Sequence, residues 1–314
     1  QGSMSKIAFI YPGQGAQKAG MGKDFYENSP LARDIYDRAS ECLELDMRAL
    51  CFEENDLLDQ TEYTQAAMVT TCLAMTAVLN EQGAEADVTA GLSLGEYCAI
   101  AEAGAMDLLD AIRLVRVRGQ LMQHTVPTGE GAMAAVLGMD ADQIDAVIEP
   151  IANVTVANYN CPGQIVITGG TAGIEQASKT LKEAGAKRVV SLNVSGPFHS
   201  PMLRSAGEKL GKELSAVQLG ELKIPYVTNV TAEYVTDSSE IRELLTRQVY
   251  SPVRWEQSIR KMIAQDVDTF VEIGPGRTLT GFLRKIDRNV TVYQVNTWED
   301  SKQIMEELWQ RKQQ

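Results

Sequence analysis

Val88-Thr-Ala-Gly91-Leu-Ser93-Leu-Gly95-Glu-Tyr-Cys-Ala-Ile-Ala-Glu-Ala103 is the stretch on which the reading of this chain turns. Val88–Gly91 reads as a brief strand and residues 94–103 as a helix. Between them Gly91-Leu-Ser-Leu-Gly95 fits a GxSxG pattern, in which a sharp strand-to-helix turn exposes a serine hydroxyl and the glycines relieve crowding. Five such residues are weak evidence alone; the strand before and the helix after supply the context the motif needs. Ser93 is therefore the candidate nucleophile. The helix N-terminus behind it can offer backbone N–H groups and the positive end of its dipole to an oxyanion.

Outward from this turn, apolar runs and helical stripes alternate. Ile7–Tyr11 is a buried strand ending in Pro12-Gly-Gln-Gly15, a tight loop. Helices are predicted over 65–82, closed by Gly83, and over 111–124, ending before Pro127. Residues 133–194 have an order of their own. It runs strand 133–139, helix 140–149, strands 154–157 and 164–168, helix 171–184 and strand 187–194, a β-α-β-β-α-β arrangement. Beyond it come helix 201–214, strand 224–227, helix 239–247, strand 267–273 running into Gly274-Pro-Gly276, strand 290–295 and a helix over 299–310. Such alternation implies a mainly parallel sheet covered on both faces. The expected fold is α/β: a hydrolase-like core with a mainly parallel sheet, formed by residues 4–127 and 198–314, and an inserted ferredoxin-like (βαββαβ) subdomain at 128–197. Residues 1–3, Gln1-Gly-Ser3 ahead of Met4, read as an expression scar.

Composition bounds the function. The chain has 314 residues, 44% hydrophobic and 23% charged, ordinary for a folded domain with a sizeable core. No apolar run approaches the roughly 18 residues of a membrane span, and the start does not read as a leader, so a cytoplasmic protein without a membrane partner is expected. Five scattered cysteines suit a reducing compartment. With two histidines and no CxxC pair, no metal site is expected. The formal net charge of −13 argues against nucleic acid, whose phosphates would be repelled.

A serine nucleophile needs a base, and the choice is His124 or His199. His124 falls in the frayed end of a helix before Pro127, where a solvated histidine is the simple reading. His199 sits in Ser195-Gly-Pro-Phe-His-Ser200, a loop that Gly-Pro forces immediately after a strand, and is the candidate base. None of the acids between serine and histidine (Asp107, Asp110, Asp140, Asp142, Asp145) is a persuasive third member, so a dyad oriented by a neutral acceptor is expected. Arg118 is misplaced for a helix surface. Its neighbours three and four positions away are Leu114, Val115, Leu121 and Met122, so it lies in the apolar stripe. A buried guanidinium needs an anion, either an internal Asp or Glu or a substrate carboxylate bound in a bidentate way. Met122, on the same stripe, is expected beside it in the substrate pocket.

Together, Pro12-Gly-Gln-Gly-Ala-Gln17, Gly91-Leu-Ser-Leu-Gly-Glu96, Arg118-Gly119, Gly196-Pro-Phe-His-Ser200 and Glu272-Ile-Gly-Pro-Gly276 make a specific combination. From Met4 onward the sequence resembles the bacterial malonyl-CoA:acyl carrier protein transacylases. The resemblance implies a malonyltransferase of fatty acid synthesis, working by a ping-pong cycle through a malonyl ester on Ser93. His199 would be general base and then acid, oriented by the backbone carbonyl of Gln248. The N–H groups of Leu94 and Gln14 would form the oxyanion hole, Arg118 would grip the malonyl carboxylate, and Phe198 resembles the malonyl-selecting form of its loop. Asn158-Tyr-Asn160 resembles a segment at the mouth of the site, with a turn-stabilising role as the alternative. No cofactor is implied, since the coenzyme A thioester is substrate. The partners implied are malonyl-CoA and acyl carrier protein, with a monomeric enzyme expected. Because carrier proteins are acidic, a −13 enzyme needs a local basic patch, for which Lys187 and Arg188 are candidates, as are Arg284, Lys285 and Arg288. The rival readings are a serine esterase or thioesterase, a non-catalytic acyl-CoA-binding protein and a polyketide-pathway transacylase.

Overall fold

Ile7–Tyr11 is apolar at every position, and the computed structural model, which describes residues 5–309, buries all five residues in the middle of a sheet. The expression-scar reading of residues 1–3 and the last residue of the C-terminal helix, Gln310, lie outside the described residues. In chain order the strands are β1 Ile7–Tyr11, β2 Val88–Gly91, β3 Gly131–Leu137, β4 Val154–Cys161, β5 Gln164–Gly170, β6 Arg188–Ser191, β7 Tyr226–Val227, β8 Tyr234–Val235, β9 Thr269–Ile273 and β10 Thr291–Val295.

The larger sheet has the order β10-β9-β1-β2-β7-β8 and is parallel except for the β7–β8 hairpin. β1, β2 and β9 are buried at every position, as strands covered by helices on both faces must be. The loops leaving the C-terminal ends of β1, β2 and β9 therefore meet at one edge of the sheet, the usual place for a ligand in an open parallel sheet. The 21-residue helix Thr61–Glu81 is buried along most of its length beneath that edge. Helix Leu108–His124 packs against it closely enough that a Cβ at Gly119 would stand 2.7 Å from the Thr61 carbonyl oxygen.

β3 to β6 form a separate antiparallel sheet in the order β4-β5-β3-β6, with its own apolar core around Ile144, Ile167 and Leu181. β4 is latched to the main body by two backbone hydrogen bonds, Tyr159 N–H to the Val253 carbonyl at 2.9 Å and Val253 N–H to the Ala157 carbonyl at 2.7 Å. The predicted strand 187–194 is shorter than expected, Arg188–Ser191, because the chain leaves the sheet to line the cavity described below. Helices Lys23–Asn28, Pro30–Leu43, Met47–Phe52, Trp255–Ala264 and Thr278–Ile286 and the strand Tyr234–Val235 were not anticipated. The five cysteines are all free thiols, and no described helix is long and apolar enough to cross a membrane.

Candidate active site

The GxSxG turn is a packed corner. Leu92 N–H continues the ladder of β2 onto the Tyr11 carbonyl at 3.0 Å, and the chain then turns at Ser93, whose φ of 55° lies in the left-handed region. Such a conformation in a non-glycine residue costs roughly 1–3 kcal/mol and persists where the surroundings enforce it. Here Asn229 enforces it, since its Oδ1 accepts from Ser93 N–H at 2.7 Å while its Nδ2 donates to the Gly91 carbonyl at 2.7 Å. The flanking glycines leave no room for alternatives. A Cβ at Gly91 would lie 1.9 Å from the Gly95 carbonyl oxygen, and one at Gly95 would lie 2.5 Å from that of Tyr11.

His199 is buried, also at positive φ (62°), and faces Ser93. Its Nδ1 lies 2.8 Å from the backbone carbonyl of Gln248, which can only accept, so Nδ1 carries the proton. Nε2 is then free to accept from the Ser93 hydroxyl, 2.8 Å away. Burial, reinforced by the charge of Arg118, pushes the imidazole down to about 4. The ring is neutral and a ready acceptor through the neutral pH range. None of the weighed aspartates approaches it. Asp107 and Asp140 cap helices, Asp110 pairs with Arg113 at 2.7 Å, and Asp145 accepts from the Tyr159 hydroxyl at 3.2 Å. His124 is exposed and pairs with Glu62 at 3.0 Å.

Arg118 is 1% exposed, and its acceptors are all neutral. Nη1 donates to Gln65 Oε1 at 2.8 Å, and Nη2 to Gln248 Oε1 at 2.9 Å and to Ser93 Oγ at 3.1 Å. Its guanidinium carbon stands 5.8 Å from the centre of the Tyr97 ring. Nε has no partner, and no carboxylate comes within ion-pair distance of the guanidinium among the described residues. The internal ion pair weighed from the sequence is thus absent as a direct contact, and a cationic fork is aimed at the serine hydroxyl.

Sequence reading missed the side-chain network that holds this fork. Gln248 Nε2 donates to the Ser93 carbonyl and to Glu96 Oε1, both at 2.9 Å, and Glu96 Oε1 also accepts from Asn229 N–H at 3.0 Å. One signal in the sequence is Glu96 directly ahead of the uncharged run Tyr-Cys-Ala-Ile-Ala, on a helix whose first six residues the fold buries. Gln65 and Asn229 carry no comparable signal.

A cavity of about 510 Å³ opens beside Ser93 and His199, between the two sheets. Gln14, Leu94, Met122 and Phe198 line it together with Arg118. Neither the Gln14 nor the Leu94 backbone N–H donates a hydrogen bond among the described residues. Asn158 and Asn160, two apart on one face of β4, line the side of the cavity contributed by the smaller sheet, and the buried Asn160 Oδ1 has no partner. Glu272-Ile-Gly-Pro-Gly276 supports the site from behind. The Glu272 carboxylate accepts from Leu279 N–H at 3.2 Å and Thr280 N–H at 2.9 Å, capping helix Thr278–Ile286, and a Cβ at Gly274 would meet Pro12 Cγ at 2.8 Å. Lys187 and Arg188 are exposed at the start of β6, at the other end of that strand from the cavity.

A hydroxyl within hydrogen-bond reach of a neutral imidazole, beside a cavity of mixed apolar and polar lining, could carry out acyl transfer. The profile of the acyl transferase domain matches residues 8–299. The Bacillus subtilis malonyl CoA-acyl carrier protein transacylase is 47% identical over 298 residues, covering 93% of this chain and 94% of its own. Its Staphylococcus aureus counterpart is 41% identical over 304 residues, covering 95% and 98%. Among solved structures, the Clostridium perfringens transacylase superposes with a TM-score of 0.94 at 43% identity, covering 98% of both chains. A malonyl-transacylase in complex with a type II polyketide synthase acyl carrier protein gives 0.94 at 37%, covering 96% of this chain and 100% of that one. This chain belongs to the acyl transferase family and, within it, to the malonyl CoA-acyl carrier protein transacylases.

Proposed function

We propose that this enzyme carries malonyl from malonyl-CoA to the phosphopantetheine thiol of acyl carrier protein by a ping-pong cycle through a malonyl-Ser93 ester, supplying fatty acid synthesis in the cytoplasm. The observation that carries the reading is Arg118, a buried fork with no direct carboxylate partner, 3.1 Å from the nucleophile. A cavity that holds such a cation beside the reacting hydroxyl selects an acyl group ending in a carboxylate.

In the first half-reaction Ser93 Oγ attacks the thioester carbonyl while its proton passes to His199 Nε2. The N–H groups of Gln14 and Leu94 hold the oxyanion, a role that suits donors left free by the fold. Collapse of the tetrahedral species expels coenzyme A thiolate, which takes the proton from His199. In the second half the carrier thiol gives its proton to His199 and attacks the ester; the departing Ser93 alkoxide then recovers that proton. The Gln248 carbonyl keeps the imidazole in the tautomer that both halves require. Met122 and Phe198 pack the acyl group, and Asn158 and Asn160 face the pantetheine arm. No resident cofactor takes part.

We read the parallel sheet as a hydrolase-like core, residues 4–127 and 198–314, and the antiparallel sheet as a ferredoxin-like insertion at 128–197, working as a monomer. Carrier protein would dock near Lys187 and Arg188. A carrier protein of polyketide synthesis is the second candidate acceptor, because a relative at 37% identity is solved with one. The test is acyl selectivity. Arg118→Ala should lower kcat/KM for malonyl-CoA far more than for acetyl-CoA, and an unchanged ratio would remove the proposed role of the arginine.

A further inference from the structure

Glu96 is fully buried at the centre of the site's hydrogen-bond network, and the transfer cycle does not use it. Its Oε1 accepts from Asn229 N–H at 3.0 Å and from Gln248 Nε2 at 2.9 Å, while its Oε2 has no hydrogen-bond partner among the described residues. The Gln248 amide stands between two ionisable groups, its oxygen accepting from Arg118 Nη2 at 2.9 Å and its nitrogen donating to Glu96 at 2.9 Å. The amide dipole is thereby aligned from carboxylate to guanidinium, and the two form an ion pair bridged by one neutral side chain. Buried together, each charge favours the ionised form of the other. The remaining titratable groups near Glu96 are Tyr97 on its own helix and Tyr226 on β7, both kept neutral by burial, and His199 on the far side of Gln248. Burial pushes the Glu96 carboxyl up to about 7, against the pull of Asn229, Gln248, the nearby Thr228 hydroxyl and Arg118.

We propose that Glu96 is the counter-ion of Arg118 in the empty site and takes up a proton at Oε2 when a carboxylate-bearing acyl group pairs with Arg118, so that malonyl binding brings a proton with it and acetyl binding does not. The proposal rests on the reading of Arg118 as the malonyl fork. The charge balance is closed. Above the Glu96 midpoint the empty site holds one guanidinium and one carboxylate; the loaded site holds one guanidinium, one malonyl carboxylate and one neutral carboxyl. The proton comes from solvent and returns there when malonyl leaves, and no bond in the substrate changes. Glu96 touches no reacting atom and acts through Gln248 as a positioning residue. At low pH Glu96 is already neutral and nothing is taken up. Above the free-site midpoint, malonyl affinity falls by up to about tenfold per pH unit, until the midpoint of the loaded site is passed.

Calorimetry on the Ser93→Ala protein, which cannot form the ester, tests this in two buffers of different ionisation enthalpy at about pH 8. Malonyl-CoA should bind with uptake of a large part of one proton, and acetyl-CoA with none. In Ser93→Ala/Glu96→Gln the uptake should vanish, and malonyl affinity should become flat between about pH 7 and 9. Equal uptake with both thioesters, or uptake that survives Glu96→Gln and so belongs to His199, overturns the proposal. A difference infrared spectrum of the Ser93→Ala protein needs no change at Glu96. A protonated-carboxyl band that shifts on isotopic labelling of the protein's glutamates should appear with malonyl-CoA, and its absence refutes the uptake. Malonyl preference without uptake defeats this proposal alone, whereas equal affinity for the two thioesters defeats the reading of Arg118 beneath it.

Discussion

His199 sits 2.8 Å from both the Ser93 hydroxyl and the Gln248 carbonyl, and its burial beside Arg118 sets the pH at which it would gain a proton. Because kcat/KM reports ionisations of the free enzyme, its acid limb for malonyl transfer should fall near pH 4, where His199 gains a proton, and not near the ordinary histidine value. A limb at about pH 6.5 in the pH–rate profile would contradict the buried, cation-facing imidazole. Arg118→Ala removes charge-assisted hydrogen bonds of about 1.5–3 kcal/mol, so kcat/KM for malonyl-CoA should drop roughly 10- to 100-fold while acetyl-CoA is spared. Ser93, His199 and Arg118 were legible in the sequence because each is chemically out of place: a serine between glycines, one of two histidines behind Gly-Pro, a cation in an apolar stripe. The role of Gln248 came only through the family resemblance. Every residue has a backbone carbonyl, so residue type carries no trace of which one will face an imidazole.

The Ser93 turn is strained, and Asn229, arriving from the loop between β7 and β8, clamps both ends of it. Asn229→Ala would leave the Ser93 N–H and the Gly91 carbonyl unpaired, and should cost about 1–3 kcal/mol of stability in denaturant unfolding. If the clamp holds the nucleophile in place, kcat should fall with little change in KM; unchanged kcat would mean that the glycines alone suffice. Strands β1, β2 and β9 were readable as apolar runs bounded by glycine. Helix Pro30–Leu43 lies outside the sequence expectation, although its start is marked by the Ser29 cap and Pro30 at the first position. Helix Thr278–Ile286 was hidden because its cap is Glu272, separated from it by the Ile-Gly-Pro-Gly turn, and capping patterns look for an adjacent side chain. The strand expected over 187–194 ends at Ser191, and Leu192 and Val194, apolar like strand residues, line the cavity instead.

At the scale of the molecule, two sheets enclose one cavity, the parallel sheet presenting the chemistry and the antiparallel sheet supplying the opposite wall. The βαββαβ order was visible as a break in the α/β alternation. Its closure over the active site was not, because the latch between Ala157, Tyr159 and Val253 is made of backbone atoms far apart in sequence. A −13 enzyme must meet an acidic carrier protein through local positive charge. Lys187→Glu/Arg188→Glu should raise the apparent KM for carrier protein several-fold and steepen no dependence on malonyl-CoA; an unaltered KM would move the docking surface elsewhere. The most direct test of the whole account is intact-protein mass after brief exposure to malonyl-CoA, for wild type and Ser93→Ala. The account predicts a malonyl-sized gain in the wild type that is absent from Ser93→Ala and cleared by carrier protein much faster than by water. Clearance by water at the same rate, or a gain that survives Ser93→Ala, would contradict it.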